Sequence, residues 1–442
     1  MDPILLSILF FTISLIFLLS GMPIAFALGF VALLFMFIFW DPLFFKLIAQ
    51  HMFDGLNDFG LIAIPLFILL GVVMGETKAS EDLYEAVHRW LYKIPGGIGV
   101  TNIVSCAIFA ALCGSSPATA AAIGKMGIPE MLKRGYDPRL ATGVIAAGGT
   151  LGILIPPSVT MIVYGIATET SIGKLFIAGV IPGIILTLLF SLWTIFAHYR
   201  YIHSKRINPS YTLELSVKEY TLREKLIVLP KVLPFIIIIF LIMYSLYFGF
   251  ATPSEAAGVG AIAAIFVTMI IYKVFKGFLK IFEVALKDTV MIMVIMATAH
   301  LYSVVMSNLW ITQTLANALI NLNLPPWGLI LLVNLLLLLL GCFLPPVVII
   351  LIICPIIHPA ILAAGFDPIW FGVMITINME AGLITPPVGL NLYVIKRIAP
   401  EIPMSDVLKG SIPFIIIMFI GMVLLYLFPQ LALWLPSQMI TR

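Results

Sequence analysis

The sequence predicts an all-α polytopic membrane protein made of two copies of one unit with inverted topology. Three observations support this fold class: the composition, an internal repeat and the distribution of basic residues. Of the 442 residues, 62% are hydrophobic and 10% are charged, whereas soluble domains are roughly 45–50% apolar and 25% charged. No soluble fold buries so much apolar surface, so we expect the chain to lie in lipid. Disorder, nucleic-acid binding and a disulfide scaffold are excluded.

The internal repeat appears when the sequence is shifted by 230 residues against itself. Six prolines of the first half then fall on prolines of the second half, where chance predicts about one. The pairs are Pro23 with Pro253, Pro95 with Pro325, Pro129 with Pro359, Pro138 with Pro368, Pro156 with Pro386 and Pro157 with Pro387. The same shift aligns GYDP at 135–138 with GFDP at 365–368. The chain is therefore predicted to be a fused duplication.

In the first copy, the apolar pattern predicts seven elements in order. They are spans near 4–20, 24–40 and 58–76, an amphipathic stretch at 78–97, a hairpin at 101–127, a broken span at 139–165 and a span at 175–197. The first span has no basic residue before it, so we expect it to remain as a helix rather than be cleaved as a signal peptide. The amphipathic stretch fits a helix in the membrane interface or a solvated connector. Each limb of the hairpin is too short to cross the bilayer.

The second copy repeats this order and completes about ten full spans, two re-entrant hairpins and two broken helices. Its elements lie at 232–248, 253–272, 289–306, 307–325, 328–354, 368–394 and 410–434. We divide the chain into five segments. The first copy comprises scaffold helices with an interfacial arm at 1–97 and a hairpin, broken helix and span at 98–197, followed by a basic cytoplasmic linker at 198–231. The second copy comprises its scaffold and arm at 232–327 and its hairpin, broken helix and last span at 328–442.

Basic residues predict which side of the membrane each loop faces. Five segments carry 21 of the 24 Lys and Arg residues: 77–97, 125–139, 198–231, 273–288 and 395–409. The repeat equivalents of the first two, 307–327 and 355–369, contain none. Because cytoplasmic loops are enriched in Lys and Arg, the second copy is predicted to be inverted relative to the first, with both termini outside.

Four breaks interrupt the predicted helices, at 114–117, 148–157, 344–347 and 378–387. A single break can be only a kink in a helix. Two breaks in each copy, at repeat-related positions, indicate a functional role rather than a purely structural one. Irregular backbone at membrane depth persists only where it is buried in protein or lines a cavity. Broken helices in inverted repeats are typical of the binding site of a secondary transporter.

The residues at these breaks are suited to binding an anion and a cation. Ser116–Pro117 and Thr385–Pro386 are predicted to begin helices, and helix N-termini attract carboxylates without needing an arginine. Glycine carbonyls with Ser and Thr hydroxyls offer oxygen ligands for a hard cation such as Na⁺. The candidates are Ser115, Ser116, Thr119, Gly149, Thr150 and Gly152 in the first copy, and Asn378, Glu380, Gly382 and Thr385 in the second.

Glu380 is an acidic residue inside a predicted broken span, and such residues are functional candidates. It would neutralise a cation, relay a proton or cap backbone amides, and the sequence leaves these three roles open. Its repeat equivalent is Thr150, and Asn391 likewise faces Met161. The two copies therefore carry different residues at the breaks, as expected if one substrate without two-fold symmetry binds between them.

The run GSSPATAAAIGKMGIPEMLKRGYDPRLATGVIAAGGTLGILIPPS at 114–158 resembles the signature region of the large membrane subunit of TRAP (tripartite ATP-independent periplasmic) transporters. GMPIAFALG at 21–29 and ITINMEAGLITPPVGLNLYVI at 375–395 resemble further stretches of that family. The resemblance implies an elevator-type carrier of the ion-transporter superfamily in a bacterial or archaeal inner membrane. It also implies import of an organic acid driven by sodium ions, without an organic cofactor.

The family resemblance also implies partners and ligands. The partners are a separate small four-helix membrane subunit, a periplasmic substrate-binding protein, the carboxylate substrate and the lipid. Sodium sites would combine the Ser115–Ser116 tip with Gly149–Gly152, and the tip Gly341–Pro346 with Glu380–Thr385. Candidate substrate contacts are Ser116, Thr119, Ser158, Asn378, Thr385 and Asn391.

Three rival functions remain. A stand-alone sodium/carboxylate symporter of the same superfamily would work without a binding protein. An intramembrane enzyme would need a Ser/His pair, paired Asp residues or HExxH, and the sequence contains no such motif. A passive channel would not need sodium-coupled hairpins. We therefore expect a transporter and not an enzyme.

Overall fold

The computed structural model describes residues 2–94, 96–206, 220–273 and 277–439. These ranges form α-helices, short 3₁₀ turns and connecting loops, with no β-strand. The helices are α1 Pro3–Leu19, α2 Ile24–Phe39, α3 Ile48–Asp54, α4 Ala63–Gly75, α5 Ala79–Leu91, α6 Gly97–Cys113, α7 Ser116–Lys133, α8 Pro138–Leu154, α9 Val159–Ala167, α10 Ile172–Arg206, α11 Leu222–Tyr247, α12 Pro253–Tyr272, α13 Phe278–Asn308, α14 Ile311–Asn321, α15 Pro326–Gly341, α16 Pro346–Ala363, α17 Pro368–Leu383, α18 Leu390–Ile398, α19 Met404–Leu427 and α20 Gln430–Ser437.

Several of these helices are long and apolar enough to cross a bilayer. Within the described ranges six qualify singly, and two bent helix pairs raise the number to eight. Four further apolar helices, α1, α2, α6 and α15, have 16 or 17 residues. The all-helical membrane class predicted from composition is confirmed, whereas the count of about ten full spans stays a prediction.

The repeat is visible as reciprocal packing between the two halves. Helix α2 packs against α13, and its counterpart α12 packs against α4. In the same way α7 packs against α18 while α16 packs against α9, and α8 packs against α19 while α17 packs against α10. Each contact occurs twice with the halves exchanged, as expected for two interlocked copies related by a pseudo-two-fold axis.

Two polar contacts show that the copies are inverted. On one face, Arg139 at the start of α8 donates from Nε to Asp406 Oδ1 at 2.9 Å, in the first turn of α19, the helix that follows α18. On the other face, Tyr164 near the end of α9 donates to the carbonyl oxygen of Pro368, where α17 begins, at 2.8 Å. The broken span α8–α9 therefore runs opposite to its counterpart α17–α18.

The third span of the first copy differs from its counterpart. It is split into α3 and α4 with a 54° bend at 55–58, whereas α13 runs unbroken for 31 residues. A Cβ on Gly55 would lie 2.4 Å from His300 Cβ, so α13 crosses at the bend. After it, Asp58 accepts a hydrogen bond from the Gly60 amide at 2.6 Å. The sequence prediction began this span at residue 58 and missed α3.

The helices around the predicted basic linker are longer than the apolar pattern indicated. Helix α10 continues to Arg206 and α11 begins at Leu222, because charged side chains on an exposed helix end need no apolar pattern. Residues 207–219 of this linker lie outside the described residues. The last span ends at Leu427, and α20 follows after Pro429 and packs against α10 and α17.

Candidate functional site

The tip of the first hairpin lies against the break in α8–α9. Helix α6 ends at Cys113, and Gly114 turns the chain with φ +61°. A Cβ on Gly114 would stand 2.7 Å from the carbonyl oxygen of Pro157, so only glycine fits between tip and break. Helix α7 begins at Ser116 with Ser115 at the cap position. The predicted helix start is therefore confirmed, with the cap one residue earlier than expected.

Glu380 reaches this tip from α17 of the other copy. The side chain is fully buried. Its Oε1 atom accepts hydrogen bonds from the Ser116 hydroxyl and from the backbone amide of Ile153, the latter at 3.1 Å. Its Oε2 atom has no hydrogen-bond partner among the described residues. One carboxylate thus joins hairpin α6–α7, the end of α8 and helix α17.

Glycines allow each hairpin tip to approach its broken helix closely. A Cβ on Gly152 would lie 2.7 Å from backbone atoms of Ser115 and Ser116. Its repeat equivalent, Gly382, would place a Cβ 2.7 Å from backbone atoms of Gly341. Gly149 extends the first contact, since its Cβ would lie 2.8 Å from Ala120 Cβ. The same contact between tip and break is therefore built in both copies.

The second break differs from the prediction. Helix α18 begins at Leu390, after Gly389 with φ +58°, and the Gly389 amide donates to the carbonyl oxygen of Cys342 at 3.2 Å. The Thr385 hydroxyl donates backwards to the Ala381 carbonyl oxygen at 2.6 Å. The predicted helix start at Thr385–Pro386 is therefore wrong, because Thr385 is bonded to the preceding helix. The peptide bonds Pro156–Pro157 and Pro386–Pro387 are both cis.

Asn378 is bound by a residue that the sequence analysis did not identify. Its Nδ2 atom donates to the backbone oxygen of Asn334 at 2.9 Å and to Asn334 Oδ1 at 2.8 Å. Asn334 is half-buried in α15. The signal was present in the sequence, since Asn334 is the lone polar residue in the leucine-rich run 329–340.

The remaining candidates are buried near the tips and bond mainly within their own segments. Thr119 donates to the Ser115 carbonyl oxygen at 2.9 Å, Thr150 donates to that of Ala147 at 2.6 Å, and Ser158 accepts from the Met161 amide at 3.3 Å. Both polar side-chain atoms of Asn391 are buried and lack a partner in the described parts of the chain. The structure therefore brings together Ser115, Ser116, Gly149, Gly152 and Glu380 at the first tip, and Gly341 with Gly382 at the second.

A cavity of about 540 Å³ lies between the two hairpin tips and helices α2, α4 and α13. Ser115–Pro117 and Pro345–Val348 form part of its wall, so the first turns of α7 and α16 both face it. The rest of the lining is mainly apolar. Its charged residues within the described ranges are Glu76, Lys125 and Asp288. This arrangement offers an anion two helix N-termini within a largely apolar space.

The sequence and the fold are both similar to those of known transporters. The family "Tripartite ATP-independent periplasmic transporter, DctM component" matches residues 11–431. The C4-dicarboxylate TRAP transporter large permease protein DctM of Pseudomonas aeruginosa is 36% identical over 88% of this chain and 89% of its own length. The sialic acid TRAP transporter large permease protein SiaM of Vibrio cholerae is 32% identical over 95% of each chain.

A solved structure shows a similar fold at low sequence identity. The YdaH transporter of Alcanivorax borkumensis superimposes with a TM-score of 0.68 over 99% of both chains, at 15% identity. At that identity the likeness concerns the fold alone.

Proposed function

The chain belongs to the DctM-component family of tripartite ATP-independent periplasmic transporters, and from this premise we propose that it imports an organic carboxylate driven by a sodium gradient. The relatives are transporter permeases, which confirms the expectation that the chain is not an enzyme. The observation that carries the proposal is the convergence of both hairpin tips on one cavity.

The carboxylate would bind at the starts of α7 and α16. The free amides and the dipole at a helix N-terminus stabilise an anion, and both first turns face the cavity. No arginine of the described chain lines this cavity. Ser115, Ser116, Thr119 and Ser158 at the first tip and break, and Asn378, Thr385 and Asn391 in the second copy, are the proposed polar contacts.

Sodium would bind where each tip meets its broken helix. At the first tip, Glu380 is buried with one unpartnered oxygen and without a basic neighbour in hydrogen-bond range among the described residues. A buried carboxylate needs a cation or a proton to balance its charge, so we favour cation binding among its three candidate roles. Ser115, Ser116, Gly149, Thr150 and Gly152 would add oxygens there. Gly341, Gly382 and Thr385 would form the second site.

Transport would move the two hairpins and two broken helices as one body, in an elevator motion. This body comprises α6–α9 and α15–α18, with α5 and α14 as arms that connect it to the scaffold. The cavity lies between this body and scaffold helices α2, α4 and α13, and it includes Glu76, Lys125 and Asp288. Those residues lie in or beside segments predicted to be cytoplasmic, so the conformation is proposed to face inward.

The proposed partners are a small four-helix membrane subunit and a periplasmic substrate-binding protein in a bacterial or archaeal inner membrane. The names of the relatives indicate C4-dicarboxylates and sialic acid as substrate candidates. These acids differ in size, so the family relationship supports the carboxylate class without selecting one acid.

Reconstitution tests the proposal. Proteoliposomes containing the chain with its small subunit should accumulate a carboxylate when the matching binding protein and an inward sodium gradient are both supplied. Uptake should fall to background when potassium replaces sodium. Uptake that ignores the sodium gradient would contradict the proposal and favour a channel.

The stand-alone symporter is distinguished by omitting the binding protein. Sodium-driven uptake at full rate without that protein would show that the chain works alone. Uptake that requires both components would support the tripartite assembly.

A further inference from the structure

Aromatic and basic side chains cluster where α5 ends and α11 begins. We call Trp90, Tyr92, Lys93 and Lys225 the α5–α11 basic cluster. Lys225 Nζ lies 5.7 Å from the centre of the Trp90 ring and 5.1 Å from that of Tyr92. Lys93 Nζ lies 5.8 Å from the centre of the Tyr92 ring. These cation–π contacts keep the two ammonium groups close to the aromatic rings.

Among the described residues, three acidic side chains near this cluster in sequence have other partners. Glu85 pairs with Arg89, and Asp82 pairs with Lys231 at 2.8 Å. Glu224 accepts from the Thr221 amide at 2.8 Å in a capping box that starts α11. Within the described ranges, no acidic side chain pairs with Lys93 or Lys225. Among the described residues, the two lysines of the cluster therefore carry positive charge without a carboxylate partner.

An exposed apolar surface borders these charges. Trp90 is 49% exposed, and Leu222, Leu226 and Ile227 on α11 are 73%, 47% and 60% exposed. The sequence places the cluster on the predicted cytoplasmic side, at the end of an amphipathic helix. Tryptophan is enriched at the level of the lipid headgroups, and basic side chains at that level attract anionic lipids.

We propose that the α5–α11 basic cluster binds the headgroup of an anionic phospholipid of the inner leaflet. Lys93 and Lys225 would contact the phosphate, and Trp90 with Leu226 and Ile227 would contact the upper part of the acyl chains. The positive charge and the apolar border together favour a lipid over a protein partner. A phospholipid has an anionic headgroup for the lysines and acyl chains for the apolar side chains in one molecule.

The bound lipid would stabilise the contact between arm helix α5 and helix α11. Helix α5 is already tied to α11 by the Asp82–Lys231 ion pair and by a hydrogen bond from Arg89 Nη1 to the Glu224 carbonyl oxygen at 2.7 Å. The lipid would add a third connection between the same helices. This lipid site would lie on the surface of the arm, away from the cavity, and would not depend on which substrate is carried.

Fluorescence quenching in nanodiscs tests this inference. The full chain with its small subunit is placed in nanodiscs containing brominated phosphatidylglycerol or brominated phosphatidylcholine. The Trp90 signal is the difference between the wild type and Trp90→Phe, since the chain has seven tryptophans. We expect stronger quenching of this signal by the anionic lipid, with a preference of roughly fivefold for each lysine.

Matched variants separate specific binding from general charge. Lys93→Gln with Lys225→Gln should abolish the preference, and Lys93→Arg with Lys225→Arg should keep it. Lys46→Gln with Lys174→Gln, which changes the same charge on the opposite predicted face, should also keep it. Folding of each variant is checked by its elution profile and melting temperature.

Three outcomes would overturn the inference. One is equal quenching by the two lipids in the wild type. Another is a preference that persists in the double glutamine variant. The third is shielding of Trp90 from both lipids, which would show that a protein covers the cluster.

Discussion

At the scale of single residues, Glu380 connects the two copies of the repeat. Its carboxylate accepts from Ser116 of one hairpin and from the Ile153 amide of one broken helix, while it belongs to the broken helix of the other copy. In the first copy the equivalent residue is Thr150, which bonds to its own helix. The second tip therefore lacks this connection, and the two proposed sodium sites differ in charge.

Glu380→Gln should weaken sodium binding without unfolding the protein, because glutamine keeps the shape and one acceptor but removes the charge. We expect at least a tenfold loss of sodium affinity, about 1.4 kcal/mol. The measurement is the rise in melting temperature when sodium chloride replaces choline chloride. Glu283→Gln, at an exposed ion pair with Lys287, is the control and should respond to sodium as the wild type does. An unchanged sodium response of Glu380→Gln would refute its role as a ligand.

Gly152→Ala should separate the first tip from its broken helix. The new Cβ would lie 2.7 Å from the backbone of Ser115 and Ser116, and backbone cannot move aside as a side chain can. We expect a destabilisation of about 1–3 kcal/mol and a larger relative loss of transport, with Gly382→Ala acting likewise at the second tip. Gly173→Ala is the control, because its new Cβ would lie 3.9 Å from Met439 Cε, an ordinary van der Waals distance. This variant should match the wild type in melting temperature and uptake.

At the scale of elements, helix α5 packs a histidine against the first hairpin. His88 is buried, and its Nε2 atom lies 3.4 Å from Nη2 of Arg134, the residue that caps the end of α7. Burial and then the Arg134 charge lower the pKa of His88, and Glu130 and Glu85 only partly oppose this. Helix α5 lies outside the predicted spans, so this interface is accessible to changes in aqueous pH.

Acidification should therefore loosen α5. A histidine whose folded pKa is lowered binds fewer protons when folded, so its contribution is complete above its ordinary pKa of about 6.5 and is lost as the pH falls below that value. Hydrogen–deuterium exchange at pH 7.5 and 5.5, corrected for intrinsic rates, should show reduced protection of α5 at the lower pH. In His88→Gln this pH dependence should disappear. If α5 is equally protected at both pH values, the histidine does not control the interface.

The elements also show where sequence reasoning worked and where it failed. Both hairpins were predictable because Gly-Ser-Ser-Pro and Leu-Pro-Pro-Val stop an apolar run in its middle. The start of α18 was missed because a hydroxyl before proline suits a helix start, but the Thr385 hydroxyl bonds back to Ala381. The bend after α3 was missed because its cause, the crossing of α13 at Gly55, is a contact between distant segments.

At the scale of the whole molecule, the inverted repeat predicts which loops face each side. The four native cysteines are buried, so single new cysteines give a clear signal. Lys46→Cys and Lys174→Cys should react with an impermeant maleimide on intact cells, whereas Lys133→Cys and Lys409→Cys should react only after the membrane is permeabilised. Wild-type protein measures the background. Labelling of all four positions on intact cells would contradict the predicted orientation.

The sequence by itself determined the membrane class, the duplication, the inversion and the approximate positions of the four breaks. Composition, proline spacing and the distribution of basic residues reflect the surrounding solvent and the local backbone geometry. They can therefore be recognised in the linear sequence without knowledge of tertiary contacts. Only the tertiary structure decided that Glu380 reaches Ser116 across 264 residues, that Asn334 holds Asn378, and that both tips share one cavity. These contacts arise from the packing of one copy against the other, and the residues that meet carry no local pattern that would identify their partners.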